Sequence, residues 1–229
     1  MYLENARPVV SDPDEIIRIY VTVDETGNLG RRTNNEREYV VVGCVVFNRE
    51  SFEQVSYDEA IRRGREVKFN TDPDLRERII RKAAPYVEEV YYVRYWKDKA
   101  LHNSYSGMPT EGKHNLHLAM LSALADAILT DYGGEIYVDI DANSLVRNYE
   151  AMRSFESSPN IGYSKVRADV QDSEYNYGLQ TNDFFVGSIG QMINGPNSTA
   201  EDARVSHRYV NLFKDKLRRV YFRNNNRRK

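Results

Sequence analysis

The nine residues 39–47, YVVVGCVVF, constrain the fold most. They carry no charge and almost no polarity, so a strand made of them has no face that belongs in water. Such a strand fits a sheet covered on both faces. The run is far shorter than the roughly 18 apolar residues that suggest a membrane span, and no run of that length occurs in the chain. Just before it, residues 16–23, IIRIYVTV, alternate. Ile17, Ile19, Val21 and Val23 share one face, and Arg18, Tyr20 and Thr22 share the other. This first strand runs into Asp24-Glu25-Thr26-Gly27, a turn signal, and the polar stretch from Gly30 to Glu38 reads as a hairpin loop.

Downstream, strand and helix patterns alternate. Residues 50–64 read as a helix, and Glu66-Val67-Lys68-Phe69 as a short strand with Glu66 and Lys68 on one face. Asp72-Pro73-Asp74 opens a helix through Ala84, because proline and acids suit a helix start. Residues 87–96, VEEVYYVRYW, form an aromatic-rich strand. A polar loop at 97–113 leads to a helix over 114–130, with Leu116, Met120, Leu124 and Ile128 at spacing four. A strand over 136–139, a helix near 144–155 and a strand over 163–170 follow. Two helices, 179–193 and 203–222, complete the pattern. A hairpin followed by alternating elements predicts an α/β fold, a mixed β-sheet flanked by helices on both faces. No repeat or low-complexity linker divides the chain. One domain over 1–229 is expected, with a flexible N-terminal segment (1–14) and a basic C-terminal tail (214–229).

Apolar residues make up 41% of the chain and charged residues 29%, an ordinary balance for a protein that buries a core. The start, MYLENARPVVSDPDE, has acids, two prolines and no apolar stretch, unlike a secretory leader. Cys44 is the only cysteine, so these residues form no internal disulfide and no cysteine-based zinc site. That usage fits a reducing, cytoplasmic compartment. Within its apolar run Cys44 reads as a small core residue and not a nucleophile. The net charge of −2 does not decide for or against nucleic acid, but its distribution is uneven. From Lys214 onward eight basic residues face one acid, a local +7, which leaves −9 on the remainder. Such a tail can track phosphates, or it can simply be solvated.

The acids fall where chemistry would want them. Asp24 ends the first strand, Asp139 and Asp141 end the strand IYVDID, and Asp183 lies in the helix LQTNDFFVGSIG. Carboxylates at strand ends hold divalent cations rigidly, because the sheet fixes the backbone while its ends open to solvent. Each position also has a plain reading. Asp24 suits a turn, Asp139 and Asp141 suit a helix cap, and Glu66 beside Lys68 suits a surface ion pair. On its helix Asp183 shares a face with Gly187 and Gly190. Glycine inside a helix costs about 1 kcal/mol relative to alanine, so something approaches this face closely. Either a ligand or a tightly packed sheet would satisfy that.

With DETG, EVKF, YVDID and LQTNDFFVG in this order, the chain resembles the family catalogued as domain of unknown function 3800. That family's pattern is a first strand ending in aspartate, then an acid or serine-type residue and glycine, then an apolar strand. An E-x-K-like element, a strand ending in aspartate and a Leu-Gln helix carrying an aspartate come later. Here these are Asp24 to Gly27, Tyr39 to Phe47, Glu66-Val67-Lys68, Asp139, and Leu179-Gln180 with Asp183; Asp172-Ser173 resembles the family's Asp-Ser pair. Threonine in DETG departs from the common serine, and the 97–113 loop and basic tail look like embellishments.

The resemblance implies a ribonuclease-H-like sheet and a metal-dependent phosphodiesterase acting on DNA or RNA. On that reading Asp24, Asp139 and Asp183, with Glu66, hold Mg²⁺ or Mn²⁺. Lys68 neutralises a phosphate oxygen. Gln180, Glu25, Thr26 and Gly27 contact substrate, and Asp141 and Asp172 are second-tier ligands. Tyr91, Tyr92, Tyr95 and Trp96 offer rings for base stacking, although such residues more often fill a sheet face. His114 and His117 are one helical turn apart, with a helix-face or core role as the simpler reading; His102 and His207 are isolated. GNLGRR leads to a polar loop and not a helix, so no phosphate-binding loop is present. Two other functions stay open: an inactive binding or scaffolding module, and a hydrolase of small phosphorylated nucleotides. No membrane partner is expected, and a homodimer or a partner protein stays open.

Overall fold

The computed structural model describes residues 18–27, 38–70, 72–95, 110–141, 166–193 and 207–221. They form one six-stranded mixed sheet with helices on both faces, as the sequence predicts. The strands are β1 (Arg18–Thr26), β2 (Tyr39–Val46), β3 (Val87–Tyr95), β4 (Glu135–Asp141), β5 (Val166–Gln171) and β6 (Leu217–Val220). Their order across the sheet is β5-β4-β1-β2-β3-β6. β1, β2 and β3 run as an antiparallel meander, while β4 returns parallel to β1 and β5 parallel to β4. The ends of β1 and β4 therefore lie side by side.

Alternation explains how the sheet is sandwiched. Tyr20 on β1 and Val40, Val42, Cys44 and Val46 on β2 face one core. Ile19, Val21, Val23, Tyr39, Val41 and Val45 face the other. Both sides of β2 are buried, as its apolar composition requires. Helices α1 (Arg49–Arg63), α2 (Pro73–Ala83) and α4 (Tyr177–Ile193) cover the Tyr20 side. Helix α3 (Thr110–Tyr132) covers the other, with Leu116, Met120, Leu124 and Ile128 buried as their spacing predicts. Cys44 is a buried free thiol whose pKa burial pushes up, as an inert core residue should be.

Several expectations need correction. β1 does not stop before the DETG signal: Asp24, Glu25 and Thr26 remain in the strand, paired with Val42, Val41 and Val40. The turn starts at Gly27, where φ is +98° and a Cβ would strike the Glu38 carbonyl oxygen. Residues 66–69 join no sheet. Their backbone donates instead to side chains of α4, Val67 N–H to Gln180 Oε1 (3.1 Å) and Phe69 N–H to Asp183 Oδ2 (2.7 Å). The helix expected over 203–222 is replaced, among its described residues, by a helical turn at 207–210, a 3-10 turn (Lys214–Lys216) and β6. Pairing with β3 overrides local preference there. Arg218 bonds Glu89 across the strands, and Lys216 Nζ caps the carbonyls of Ala84 and Val87. α3 starts at Thr110, inside the expected loop. The segment 1–14, the helix near 144–155 and the end of the basic tail lie outside the described residues. No helix among the described residues is long and apolar enough to cross a membrane.

Candidate active site

The fold brings four acids and one lysine to the end of β1 and β4. Val23 pairs with Ile140, so Asp24 and Asp141 are the next neighbours on parallel strands. Such strands lie about 4.8 Å apart, and the two side chains share a face. α4 lays Asp183 over the same end. Asp183 Oδ2 accepts Phe69 N–H at 2.7 Å, which ties the Glu66–Lys68 segment to the helix. Ser173 links the remaining two acids: its backbone N–H reaches Asp141 Oδ1 (3.1 Å) and its hydroxyl reaches Glu66 Oε1 (2.9 Å). Lys68 Nζ sits 3.1 Å from Glu66 Oε2 on an exposed stem.

The electrostatics show how crowded the negative charge is. Burial and then the charges of Glu25, Asp183 and Asp141 raise the Asp24 pKa well above 3.8. Burial also raises Asp183, against its hydrogen bond from Phe69 and the pull of Lys68. Asp141 is raised by burial against the Ser173 bonds and Lys68. Burial alone would lower Lys68, but Glu66, Asp183 and Asp141 outweigh it and hold the ammonium above its ordinary value. A raised carboxylate beside other carboxylates is a group that would be relieved by a cation.

Asp139 is not part of this group's described contacts. It lies two residues below Asp141 on the same face, beside Thr22, and its carboxylate is fully engaged. Tyr20 donates to its Oδ2 at 2.7 Å and Asn176 Nδ2 at 3.0 Å, while Arg49 sits 3.4 Å away. Arg49 also lies over the Tyr20 ring, 4.2 Å from its centroid, and bonds Glu53. Asn176 caps α4 through Leu179 N–H. Asp139 thus locks β1, β4, α1 and the start of α4 together. YVDID offers two aspartates on one face, and only the register with β1 separates their roles.

Gln180, expected at the substrate, is buried and spent on backbone. Its Oε1 accepts Val67 N–H, and its Nε2 donates to the Ser173 and Glu174 carbonyls (2.8 and 3.3 Å). It holds both site-bearing loops against α4. Glu25 follows Asp24 in the strand and so faces the α3 side, where its charge acts on Tyr39. Gly187 and Gly190 owe their presence to protein packing. A Cβ at Gly187 would enter the Phe69 ring, and one at Gly190 would come 2.6 Å from Thr26 Cγ2. Thr26 and Gly27 therefore serve the junction of β1 with α4 and with its turn. Asp172 is exposed and accepts Glu174 N–H in the turn behind Ser173. Tyr91 and Tyr95 are buried in β3, and His117 is buried with Nδ1 2.6 Å from the Tyr39 hydroxyl. Ser173 is the contributor that sequence reasoning underused; its place in Asp172-Ser173 was the available signal.

The donor set fits Mg²⁺ or Mn²⁺ by chemistry, since the acids offer hard oxygens and the backbone bonds to Asp24, Asp141 and Asp183 each occupy one of them. Among the described residues, no three His, Cys, Asp or Glu side chains already close around a single point.

No family model matches the chain. No curated protein matches it by sequence. Among solved structures it is similar to ribonuclease HII of Archaeoglobus fulgidus, solved in complex with PCNA, at 12% identity and a TM-score of 0.49, covering 92% of this chain and 97% of that one. It is also similar to ribonuclease H2 of Pyrococcus horikoshii OT3, at 13% identity and a TM-score of 0.48, covering 86% and 76%. A Q54A mutant of Bst-RNase HIII is a third, at 18% identity and a TM-score of 0.45, covering 76% of this chain and 52% of that one. The chain's own architecture is α/β: an antiparallel meander, two parallel strands added on the β1 side, and helices on both faces.

Proposed function

We propose that the chain is a metal-dependent nuclease that hydrolyses phosphodiester bonds in DNA or RNA. The observation that carries this reading is the meeting of Asp24, Asp141, Asp183 and Glu66 around one end of the sheet, with Lys68 as the cation acting on Asp141, Asp183 and Glu66. Unlike a structural ion pair, this arrangement keeps more negative charge than the protein neutralises.

Asp24, Asp141, Asp183 and Glu66 would hold Mg²⁺ or Mn²⁺. When bound, the metal supplies Lewis-acid activation of a water and charge stabilisation at the leaving oxygen. The chain's own residues do the remainder. Lys68, released from Glu66, offers its ammonium to a non-bridging phosphate oxygen as a point charge. Ser173 orients Glu66 and Asp141. Gln180 and Asp139 position the loops and strand that carry the ligands, without touching substrate.

The test is cleavage of labelled single- and double-stranded DNA and RNA with Mg²⁺, Mn²⁺ or EDTA, for wild type and Asp24→Asn. Metal-dependent cutting that disappears in the variant is expected. Cutting that survives both EDTA and the substitution would sink the reading. A second reading is an inactive binding module of the same fold. Calorimetric titration separates the two: an inactive module of normal fold takes up no Mg²⁺ or Mn²⁺.

A further inference from the structure

Helix α1 ends abruptly. Gly64 takes the left-handed conformation (φ 64°, ψ 25°), and its N–H and that of Arg65 turn back to the last carbonyls of the helix. The chain therefore leaves α1 in a fixed direction and delivers Arg65 directly before Glu66. An open pocket of about 530 Å³ lies there, lined by Arg63, Arg65, Glu66, Lys68, Asn70 and Asp72.

The lining charges are unequally occupied. Asp72 Oδ1 is used by Asp74 N–H at the start of α2. Glu66 is bonded by Ser173 and Lys68. Arg63 lies 3.9 Å from Glu59, which already accepts from Arg62 and Arg78. Arg65 is exposed and has no ion pair among the described residues. The pocket thus keeps a spare guanidinium, with the Asn70 amide as a further donor group, on the flank of the carboxylate site. A guanidinium fork suits a phosphate.

We infer that this pocket binds a second phosphate of the substrate, adjacent along the strand to the one presented to Asp24, Asp141 and Asp183. The inference rests on the nuclease reading and narrows it: the substrate is a nucleic-acid strand and not a mononucleotide. Lys68 lines the pocket and acts on the acidic cluster, so it stands between the two phosphates.

The experiment measures binding separately from cleavage. Fluorescence anisotropy of a labelled single-stranded DNA or RNA oligomer is followed in Mg²⁺ across a salt series, with full-length Asp24→Asn as the parent. Adding Arg65→Glu is expected to weaken binding about tenfold and to reduce the slope of log K against log salt by about 1. The same charge reversal at Lys82, near the opposite end of the 11-residue helix α2 and so roughly 15 Å away, is expected to leave both unchanged. Far-UV circular dichroism verifies that each variant is folded. Equal affinity and slope for Arg65→Glu and its parent would overturn the pocket even if wild type cleaves. Binding that depends on Arg65 without any wild-type cleavage would retain the pocket and sink the nuclease reading. No binding of either strand, or wild-type turnover of mononucleotides as fast as of oligomers, would overturn the second phosphate.

Discussion

Two groups of carboxylates lie under the same helical layer, and their surroundings are opposite. Glu59 on α1 is buried yet satisfied: Arg78 reaches both of its oxygens (3.2 and 3.3 Å), and Arg62 and Arg63 close on it from one turn away. Burial pushes its pKa up, but the hydrogen bonds from Arg62 and Arg78 outweigh it and hold the carboxyl below its ordinary value. Asp24, Asp141 and Asp183 are pushed the other way by burial, and the Ser173 bonds to Asp141, the Phe69 bond to Asp183 and the charge of Lys68 pull only part of the way back. The same chemical group is neutralised in one place and left repelling its neighbours in the other. A fold under no further demand would pair both. On the proposed function, the unpaired one is where a cation with its substrate would complete the charge balance.

The sharpest way to break this contrast is to remove one acid from each group. Asp24→Asn and Asp141→Asn are expected to lower metal-dependent cleavage by about 10²- to 10³-fold, the scale of losing one preorganised electrostatic contact. Glu59→Gln is expected to leave the rate per folded molecule within about twofold. Asp139→Asn separates the neighbouring aspartates. It weakens the acceptor that Tyr20, Asn176 and Arg49 share, so stability should fall by about 1–3 kcal/mol with a smaller loss of rate than Asp141→Asn. If Asp139→Asn proves the more damaging to chemistry, the assignment of Asp141 as ligand is wrong.

Stability should then run in reverse. Glu59→Gln strands three arginines and is expected to cost about 1–3 kcal/mol, a melting temperature lower by roughly 2–4 °C per kcal/mol. Asp24→Asn, measured in EDTA, should raise the melting temperature, because it removes a repelling charge. Mg²⁺ should raise it for wild type, since a ligand of the native state stabilises it by mass action, and should do less for Asp24→Asn. A wild-type melting curve indifferent to Mg²⁺ and Mn²⁺ would favour the inactive module.

How much of this was legible in the sequence follows from what each signal encodes. The sandwiched β2 and the α3 face could be read because periodicity is a local record of burial. Asp24, Glu66, Lys68 and Asp183 were singled out by the order of their motifs and the resemblance that order carries, not by periodicity, for the strand expected at 66–69 joins no sheet. The choice between Asp139 and Asp141 was not. Both share a face, and only the offset of β4 against β1 puts one beside Asp24 and the other beside Thr22, within reach of the Tyr20 hydroxyl. Gln180 resembled a substrate contact because nothing local shows that Val67 and Ser173 will come to it. Gly187 and Gly190 correctly announced a close approach, but the visitors are Phe69 and Thr26, from chain segments more than a hundred residues earlier. β6 was misread because its four residues acquire strand character only by lying beside β3.

The smallest expected effect tests the same contrast through pH. Glu59 has a folded pKa below 4.5, so its contribution to stability is complete above that value and is lost as pH falls through the lower, folded one. Asp24, Asp141 and Asp183 have folded values above 3.8. The native state therefore holds more protons than the unfolded chain between the two values, and stability declines as pH rises through that interval. Urea midpoints taken in EDTA from about pH 2 to about pH 8 should show both slopes, each at most about 1.4 kcal/mol per pH unit for one proton. Asp24→Asn should flatten the decline on the neutral side, and Glu59→Gln the loss on the acidic side. Saturating Mg²⁺ should also flatten the neutral-side decline in wild type, because a bound cation takes over the role of the protons. If Asp24→Asn leaves the neutral-side slope intact, the acids are not close enough to repel one another, and the difference between the two groups disappears.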